Sequence, residues 1–384
     1  MDFSFSPEQQ AIRETAREFA KTRLAPEYRN REQQGDLGED LFREMGELGF
    51  IGAGISEQFG GQGLDGVTVG IIVEEIAAGD LNAAYIPMLA SLNGTILEHH
   101  APPELAREWL PKLCRGEVCI ALALTEPETG SDAARLKLKA RREGDAFILN
   151  GEKTSISFAD QAQLCIVFAR TGSEEARAGG VSAFLVPLEQ PGITRSRFDD
   201  LGSRAVGRGS IFFEDVAVPA SMMLGQEGRG FSQVMSGFDY SRALIGLQCL
   251  APAAASVEET WAYVVERKAF GSPLAKFEGV TFPLAEAETL LAAARLLCYR
   301  TLWQRDQGHP HTAEAAMCKW WAPKLACEVI QDCLLLHGHA GYGPDYPHQQ
   351  RLRDVLGLQI GDGTAQIMKM VIAREKVGRV AVPY

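Results

Sequence analysis

Several groups of residues in this chain have the types and spacing to do chemistry. Near the C-terminus, Asp362 stands between Gly361 and Gly363, followed by Thr364-Ala365-Gln366 and an apolar-periodic run to Val377. The two glycines let the backbone at Asp362 approach a ligand closely. A carboxylate close to a helix start is equally an ordinary capping pattern. The segment Leu122-Ala-Leu-Thr-Glu-Pro-Glu-Thr-Gly-Ser-Asp132 carries an apolar strand into a turn of hydroxyls and exposed backbone N–H groups. Such a loop can hydrogen-bond a polar ring or a pyrophosphate, or it is simply the exit from a strand. The seven histidines include two HxH pairs, His309/His311 and His337/His339. Metal ligation needs such groups to converge with carboxylates or thiolates. Nothing at suitable helical spacing joins them, so no metal site is expected. Gly338-His-Ala-Gly341-Tyr-Gly343 has the wrong spacing for a nucleotide fingerprint and follows a helical pattern, and no GxxxxGK[ST] is present. Any dinucleotide must be held in another way.

These groups have to be positioned by three compositional zones. The first, to about residue 120, is helix-patterned. Ser6-Pro7-Glu8-Gln9 supplies an N-cap, a Pro at the first helical position and a capping-box Gln, with Ile12, Ala16, Phe19 and Ala20 following at helical spacing. Further helices are predicted near residues 41–48 and 67–78, separated by a Phe59-Gly60-Gly61-Gln62-Gly63 loop. From about 121 to 225 the period changes. Short β-branched or aromatic runs at 146–149, 164–169, 181–187 and 210–216 are bounded by Gly, Pro, Asn or Asp. They predict an antiparallel sheet domain, and the lack of crossover helices disfavours a doubly wound nucleotide fold. From about 226 to 384 the helical period returns in long Ala/Leu-rich segments at 231–265, 282–306 and 312–336, with a last helix after Thr364. Such long consecutive helices predict an up-down bundle.

Composition narrows the partners. The 384 residues suit two or three domains. Lys and Arg number 38 against 50 Asp and Glu, a net charge of −12, which argues against nucleic acid or an anionic membrane as partner. No secretory signal is visible in MDFSFSPEQQ, and no uncharged apolar run approaches the roughly 18 residues of a membrane span. The eight cysteines form no CxxC pair and read as reduced, buried small hydrophobes in a cytoplasmic protein.

Leu122–Asp132, Glu266-Arg-Lys-Ala-Phe-Gly271, Arg353-Asp354 and Gly363-Thr-Ala-Gln366 together resemble the acyl-CoA dehydrogenases, in family order and spacing, across essentially residues 3–380. The resemblance implies an α+β multidomain fold: an N-terminal helical domain, a middle β-domain and a C-terminal four-helix bundle. It implies FAD between the β-domain and the bundle. Leu122, Leu124, Thr125, Gly130 and Ser131 would line flavin and pyrophosphate, and Ser157 the flavin's reactive edge. Arg267 and Phe270 would reach the adenosine half from a neighbouring subunit, with Gly338, Gly363, Thr364 and Gln366 also at the cofactor. A fixed guanidinium suits a pyrophosphate, and a shared site implies a homo-oligomer, usually a tetramer. The acyl-CoA would run along Ser131, Asp239, Arg242 and Arg374, although both arginines also suit bundle salt bridges. Asp362 would be the base that takes the α-proton of the thioester, with electron-transferring flavoprotein as the acceptor of the electrons.

The chain departs from the family pattern in informative places. Glu is usual at 362, and Asp is one methylene shorter. The other base position used in the family matches Ser241, which cannot serve. Gly361 replaces a larger residue, so the space beside the base looks enlarged. A shorter base and a roomier pocket suit a branched or ring α-carbon, as in cyclohexanecarboxyl-CoA. Asp80 lies in the N-terminal neighbourhood from which relatives acting on cyclohexene-carboxyl-CoA draw a ring-carbon base, although many ordinary relatives carry an acidic residue there too. Ser155, Leu335 and Glu278 replace residues that often touch FAD, so its binding could be rearranged. Two rivals stand beside this reading. One is a nitroalkane-oxidase-like enzyme that uses Asp362 as a carbon-acid base without CoA. The other is a non-catalytic flavoprotein relative that binds nucleic acid or a protein partner.

Overall fold

The computed structural model describes residues 4–382. The chain begins with the predicted capping box. The Gln9 N–H donates to Ser6 Oγ, and the Ser6 N–H donates back to Gln9 Oε1, both at 3.1 Å. This starts α1 (Pro7–Phe19), followed by α2 (Tyr28–Gln34), α3 (Glu39–Glu47), α4 (Gly66–Gly79), α5 (Tyr85–His100) and α6 (Pro103–Cys114). Helix α4 is apolar around its whole circumference and is buried on every side, as such a pattern requires. Its two acids are charge-paired. Glu74 accepts from Arg295 at 2.5 and 2.7 Å, and Glu75 accepts from Arg13 at 2.7 Å and Arg17 at 2.9 Å.

The middle zone is one eight-stranded sheet. Its strands are β1 (Ile120–Ala123), β2 (Lys139–Glu143), β3 (Ala146–Ile156), β4 (Leu164–Arg170), β5 (Val181–Pro187), β6 (Ile193–Arg197), β7 (Gly209–Pro219) and β8 (Met223–Leu224). The order is β6-β7-β3-β2-β4-β5-β8, with β1 paired to β4. The expectation of a purely antiparallel sheet needs correction. β1 runs parallel to β4, with Ile120 opposite Leu164, and β2 meets β4 in parallel at Lys139 and Arg170. The long connection between β1 and β4 permits this, since parallel neighbours need a dozen or more residues between them. β4 is buried at every position, which explains its unbroken apolar run.

The last zone is α7 (Gly230–Glu266), a small β9 (Lys268–Ala269) and β10 (Ser272–Pro273) hairpin, α8 (Glu278–Asp306), α9 (Thr312–Leu336), the short α10 (His339–Tyr342), α11 (His348–Gly357) and α12 (Ala365–Val377). Helices α7, α8, α9 and α12 form the bundle, and α7 also packs on α4 and α5. Gly246 lets α7 close on its neighbours: a Cβ there would lie 2.6 Å from Cys298 Sγ. All eight cysteines are buried and unbridged. No helix among the described residues is long and apolar enough to cross a membrane.

Asp354, at the core of α11, ties the three zones together. Its Oδ2 accepts from the Tyr28 hydroxyl at 2.5 Å and Asn82 Nδ2 at 3.0 Å, and its Oδ1 accepts from the Ser203 N–H at 2.5 Å. Burial is the largest influence on this carboxyl and pushes it up to about 7. Asp80 lies next to it, fully buried. It accepts from Arg31 Nε at 2.7 Å and from the Asn82 N–H at 2.8 Å. Burial raises its proton affinity while Arg31 pulls it back, and with both oxygens so engaged Asp80 holds the fold and leaves no oxygen to act as a base at a ring carbon. Replacing Asp354 with Ala should cost about 2–3 kcal/mol through the donors left unpaired, read by urea unfolding. Because the folded carboxyl binds its proton more tightly than the unfolded one, its contribution is largest below pH 4. The wild-type advantage over Asp354→Ala should therefore shrink as pH rises towards 7 and level off above.

Candidate active site

The loop 122–132 is pinned from behind by a buried ion pair. Lys153, fully buried on β3, donates to Glu126 Oε1 at 2.8 Å and to the Leu124 carbonyl at 2.9 Å. Glu126 also accepts from the N–H groups of Lys137 at 2.6 Å and Leu138 at 2.8 Å. Burial lowers the Lys153 ammonium to about 8, against the opposing pull of Glu126. The loop is laced to β3 by the Thr154 N–H, which donates to the Thr125 carbonyl at 2.9 Å and so brings Thr125 beside the segment leading to Ser157. The front of the loop is open. Gly130 and Ser131 are exposed, and the N–H groups of Gly130, Ser131 and Asp132 have no acceptor among the described residues. Leu122 is half-buried and Leu124 buried, giving the loop an apolar floor. Neither Lys153 nor Glu126 was singled out from sequence; a lysine inside a strand reads as an outward-facing position unless its partner is known.

Asp362 lies in the turn between α11 and α12 in the left-handed region, φ 54°, which Asp tolerates better than most residues. Its own N–H has no acceptor among the described residues. Burial raises the carboxyl above its ordinary range, while Lys319 and Arg242 pull it back. Arg242, buried on α7, donates through Nη1 to Asp239 Oδ1 at 2.8 Å, and Asp239 Oδ2 accepts from Thr312 Oγ1 at 2.6 Å. The Arg242 Nε is buried with no hydrogen-bond partner among the described residues. Arg374, exposed on α12, donates to Glu375 at 3.0 Å and lies near enough to Arg242 for their charges to repel. The fold thus gathers Asp362, Asp239, Arg242 and Arg374, and adds two groups that sequence reading missed. Lys319 comes from α9, and Tyr85 comes from the start of α5, its phenol raised by burial and then by Asp362.

Other expected residues lie apart from this cluster. Arg267 is 25 positions beyond Arg242 and just past the end of α7, roughly 37 Å along the helix axis. It cannot meet the same ligand end as Asp362 within one chain. Its guanidinium has no side-chain partner among the described residues, and Phe270 beside it is 97% exposed. Gly338 follows α9 with φ 60° and open space around it. Thr364 Oγ1 caps α12 by accepting from the Ile367 N–H at 3.4 Å, and Gln366 is exposed. Ser155 turns at φ 59° and is exposed, and Leu335 is exposed too.

This arrangement can now be set against known proteins. Models of the N-terminal, middle and C-terminal domains of acyl-CoA dehydrogenase match residues 6–117, 121–216 and 228–377. A probable acyl-CoA dehydrogenase of Bacillus subtilis, YngJ, is 35% identical over 98% of this chain and 99% of its own. The chain belongs to the acyl-CoA dehydrogenase family. It is similar also to the 3-(aryl)acrylate reductase of Clostridium sporogenes, at 34% identity over 96% of this chain and 98% of that one. Among solved structures, butyryl-CoA dehydrogenase of Megasphaera elsdenii superposes with a TM-score of 0.94 at 32% identity, covering 98% of this chain and all of that one. A chain from work on the electron transferring flavoprotein of Acidaminococcus fermentans superposes with the same score, identity and coverage.

Acyl-CoA dehydrogenases are flavin-dependent oxidoreductases, and the residues present fit FAD. Backbone N–H groups at 130–132, the hydroxyls of Ser131 and Ser157, and the Arg267 guanidinium beside an exposed aromatic ring, all without partners among the described residues, are the donors an anionic, ring-bearing ligand needs. Replacing Lys153 with Met would leave Glu126 buried without a cation. The variant should lose about 3–5 kcal/mol of stability and retain markedly less flavin, checked by urea unfolding and by visible absorbance after gel filtration.

Proposed function

We propose that this acyl-CoA dehydrogenase removes the α-proton of an acyl-CoA thioester with Asp362, and that its substrate carries a bulky, ring or branched α-carbon such as cyclohexanecarboxyl-CoA. The observation that carries the proposal is the placement of Asp362. It is a carboxylate with raised proton affinity, held in a left-handed turn, facing Arg242 and Lys319, with its own N–H free. Bound FAD would supply the acceptor for the β-hydride. Everything else falls to the chain. Arg242, with its Nε unpartnered, and the free donors of the 130–132 turn hold the anionic and polar parts of the thioester. The Asp362 N–H is available to the thioester carbonyl as charge builds on its oxygen, where a fixed donor is worth most. The Asp362 carboxylate takes the proton, and its raised affinity makes it a better base near neutral pH.

The side of the base at Gly361 is open: a Cβ there would meet only the Gly357 carbonyl, at 3.8 Å. That room, with an acid one methylene shorter than Glu, supports a substrate whose α-carbon is part of a ring. We also propose a homotetramer. The bundle leaves Phe270, Phe282, Leu335, Tyr342 and Val380 exposed, more than single scattered apolar residues explain, and Arg267 needs a partner's ligand. Electron-transferring flavoprotein is the proposed acceptor, supported by the likeness to a chain studied with that protein.

Anaerobic titration of the purified yellow protein with linear, branched and alicyclic acyl-CoAs tests the substrate class. Cyclohexanecarboxyl-CoA should bleach the flavin fastest, and faster bleaching by butyryl- or octanoyl-CoA refutes the class. The rate should fall on the acid side at a pH above the ordinary carboxylate range, because only ionised Asp362 can accept the proton. Asp362→Asn should slow bleaching by about a thousandfold while the acyl-CoA still binds.

A further inference from the structure

The turn that carries Asp362 is soft by composition. Gly361 and Gly363 flank the base, and Gly363 itself sits at φ 99°. A turn with two glycines loses much conformational freedom when it is ordered, so something outside it has to hold the carboxylate in place. Lys319, on the buried face of α9 and only 1% exposed, supplies that hold. Its Nζ donates to the Leu358 carbonyl at 2.7 Å and to the Gly363 carbonyl at 3.1 Å. Leu358 directly follows α11, at the end of a helix where carbonyls are left without partners and the dipole favours a cation. Gly363 directly follows the base. One ammonium therefore staples both ends of the turn.

We propose that Lys319 is a positioning residue for the proton-abstracting step: it fixes the 358–363 turn through two carbonyls and sets a positive charge near the Asp362 carboxylate. The proposal rests on Asp362 being the base. A buried ammonium is costly unless opposite charge lies near, and neutral carbonyls alone do not offset it. Its two acceptors leave a third N–H, and the strongest favourable charge it feels is Asp362.

The other groups facing the base do not replace Lys319. Arg242, from α7, is already neutralised by Asp239. Arg374, from α12, is exposed and paired with Glu375. Tyr85, from α5, is a neutral phenol whose proton affinity is raised further by Asp362. Cys249, from α7, faces Lys319 and stays a thiol because burial pushes its proton affinity up. Lys319 is the one cation in this set that no carboxylate other than Asp362 compensates.

The test uses the flavin-loaded enzyme and follows anaerobic bleaching by one acyl-CoA across pH. Lys319→Met removes both clamp and charge. Its plateau rate should fall at least tenfold, and the acid limb of its profile should move up by about one pH unit or more, because Asp362 holds its proton more tightly without the cation. Lys319→Gln keeps an amide donor for the carbonyls without the charge, so it should regain much of the plateau yet keep the displaced limb. A second readout does not need turnover. An acyl-CoA with sulfur in place of the β-carbon can lose its α-proton but has no hydride to give, and the pH midpoint of its long-wavelength absorbance against the flavin should move by the same amount. A uniform drop in rate with the limb and midpoint unmoved in both variants overturns the proposal. If Lys319→Met does not fold, the limb of Lys319→Gln decides alone. Asp362→Asn, run in parallel, separates the two ideas: undiminished bleaching there refutes the base, whereas loss of bleaching with an unmoved limb in the Lys319 variants refutes only the role of Lys319.

Discussion

The carboxylate of Asp354 is the interaction on which the rest of this enzyme depends. It lies where α2, the turn after α4, the 199–208 segment of the β-domain and α11 meet, and it accepts a hydrogen bond from each of the first three. A buried acid of this kind adds little net stability over an apolar core, but its donors become costly orphans when it is removed. It therefore fixes how the three zones stand against one another. The 122–132 loop comes from the sheet and Asp362 from the bundle, so the catalytic site proposed between them requires that mutual placement to hold.

A common device recurs one step closer to the chemistry. The loop 122–132, proposed to face the flavin, is held from behind by Lys153 and Glu126. The turn that bears Asp362, the proposed base, is held from behind by Lys319. In both cases the outward side keeps its donors free while the inward side is tied by a buried charge. This lets a ligand find unpaired N–H groups without the loop collapsing onto them, which is the preorganisation that makes such donors effective. The arrangement also resolves the acidity of the chain. A net charge of −12 describes the whole chain, whereas Arg242, Arg267, Arg374 and oriented backbone dipoles are local positive features, proposed to meet the anionic ligands.

Much of this was legible in the sequence, for reasons that can be named. Helices α7, α8 and α9 are long, uninterrupted apolar patterns whose period leaves little alternative, and Thr312–Leu336 is the helix expected. The capping box at Ser6 and Gln9 is local chemistry, complete within four residues. Asp362 was visible because two glycines and a following helix cap are a local signal, and because the surrounding motifs resemble a family. The loop at 122–132 was visible for the same reason.

What only the tertiary structure decided is everything that depends on contact between distant segments. The parallel pairing of β1 with β4 joins residues more than forty apart, and no period in either strand announces its partner's direction. Asp80 looked like a candidate base until Arg31, 49 positions away, was found on it. Lys153 and Lys319 gave no sign of burial in the sequence, and the fold places them against Glu126 and against the carbonyls around Asp362. A charged side chain carries no local signature of burial, because what makes burial tolerable is a partner supplied by another element. The sequence by itself therefore determined the elements and the family, and it pointed to Asp362 as the candidate base. The fold alone decided which charges are buried, and with them how that carboxylate is held.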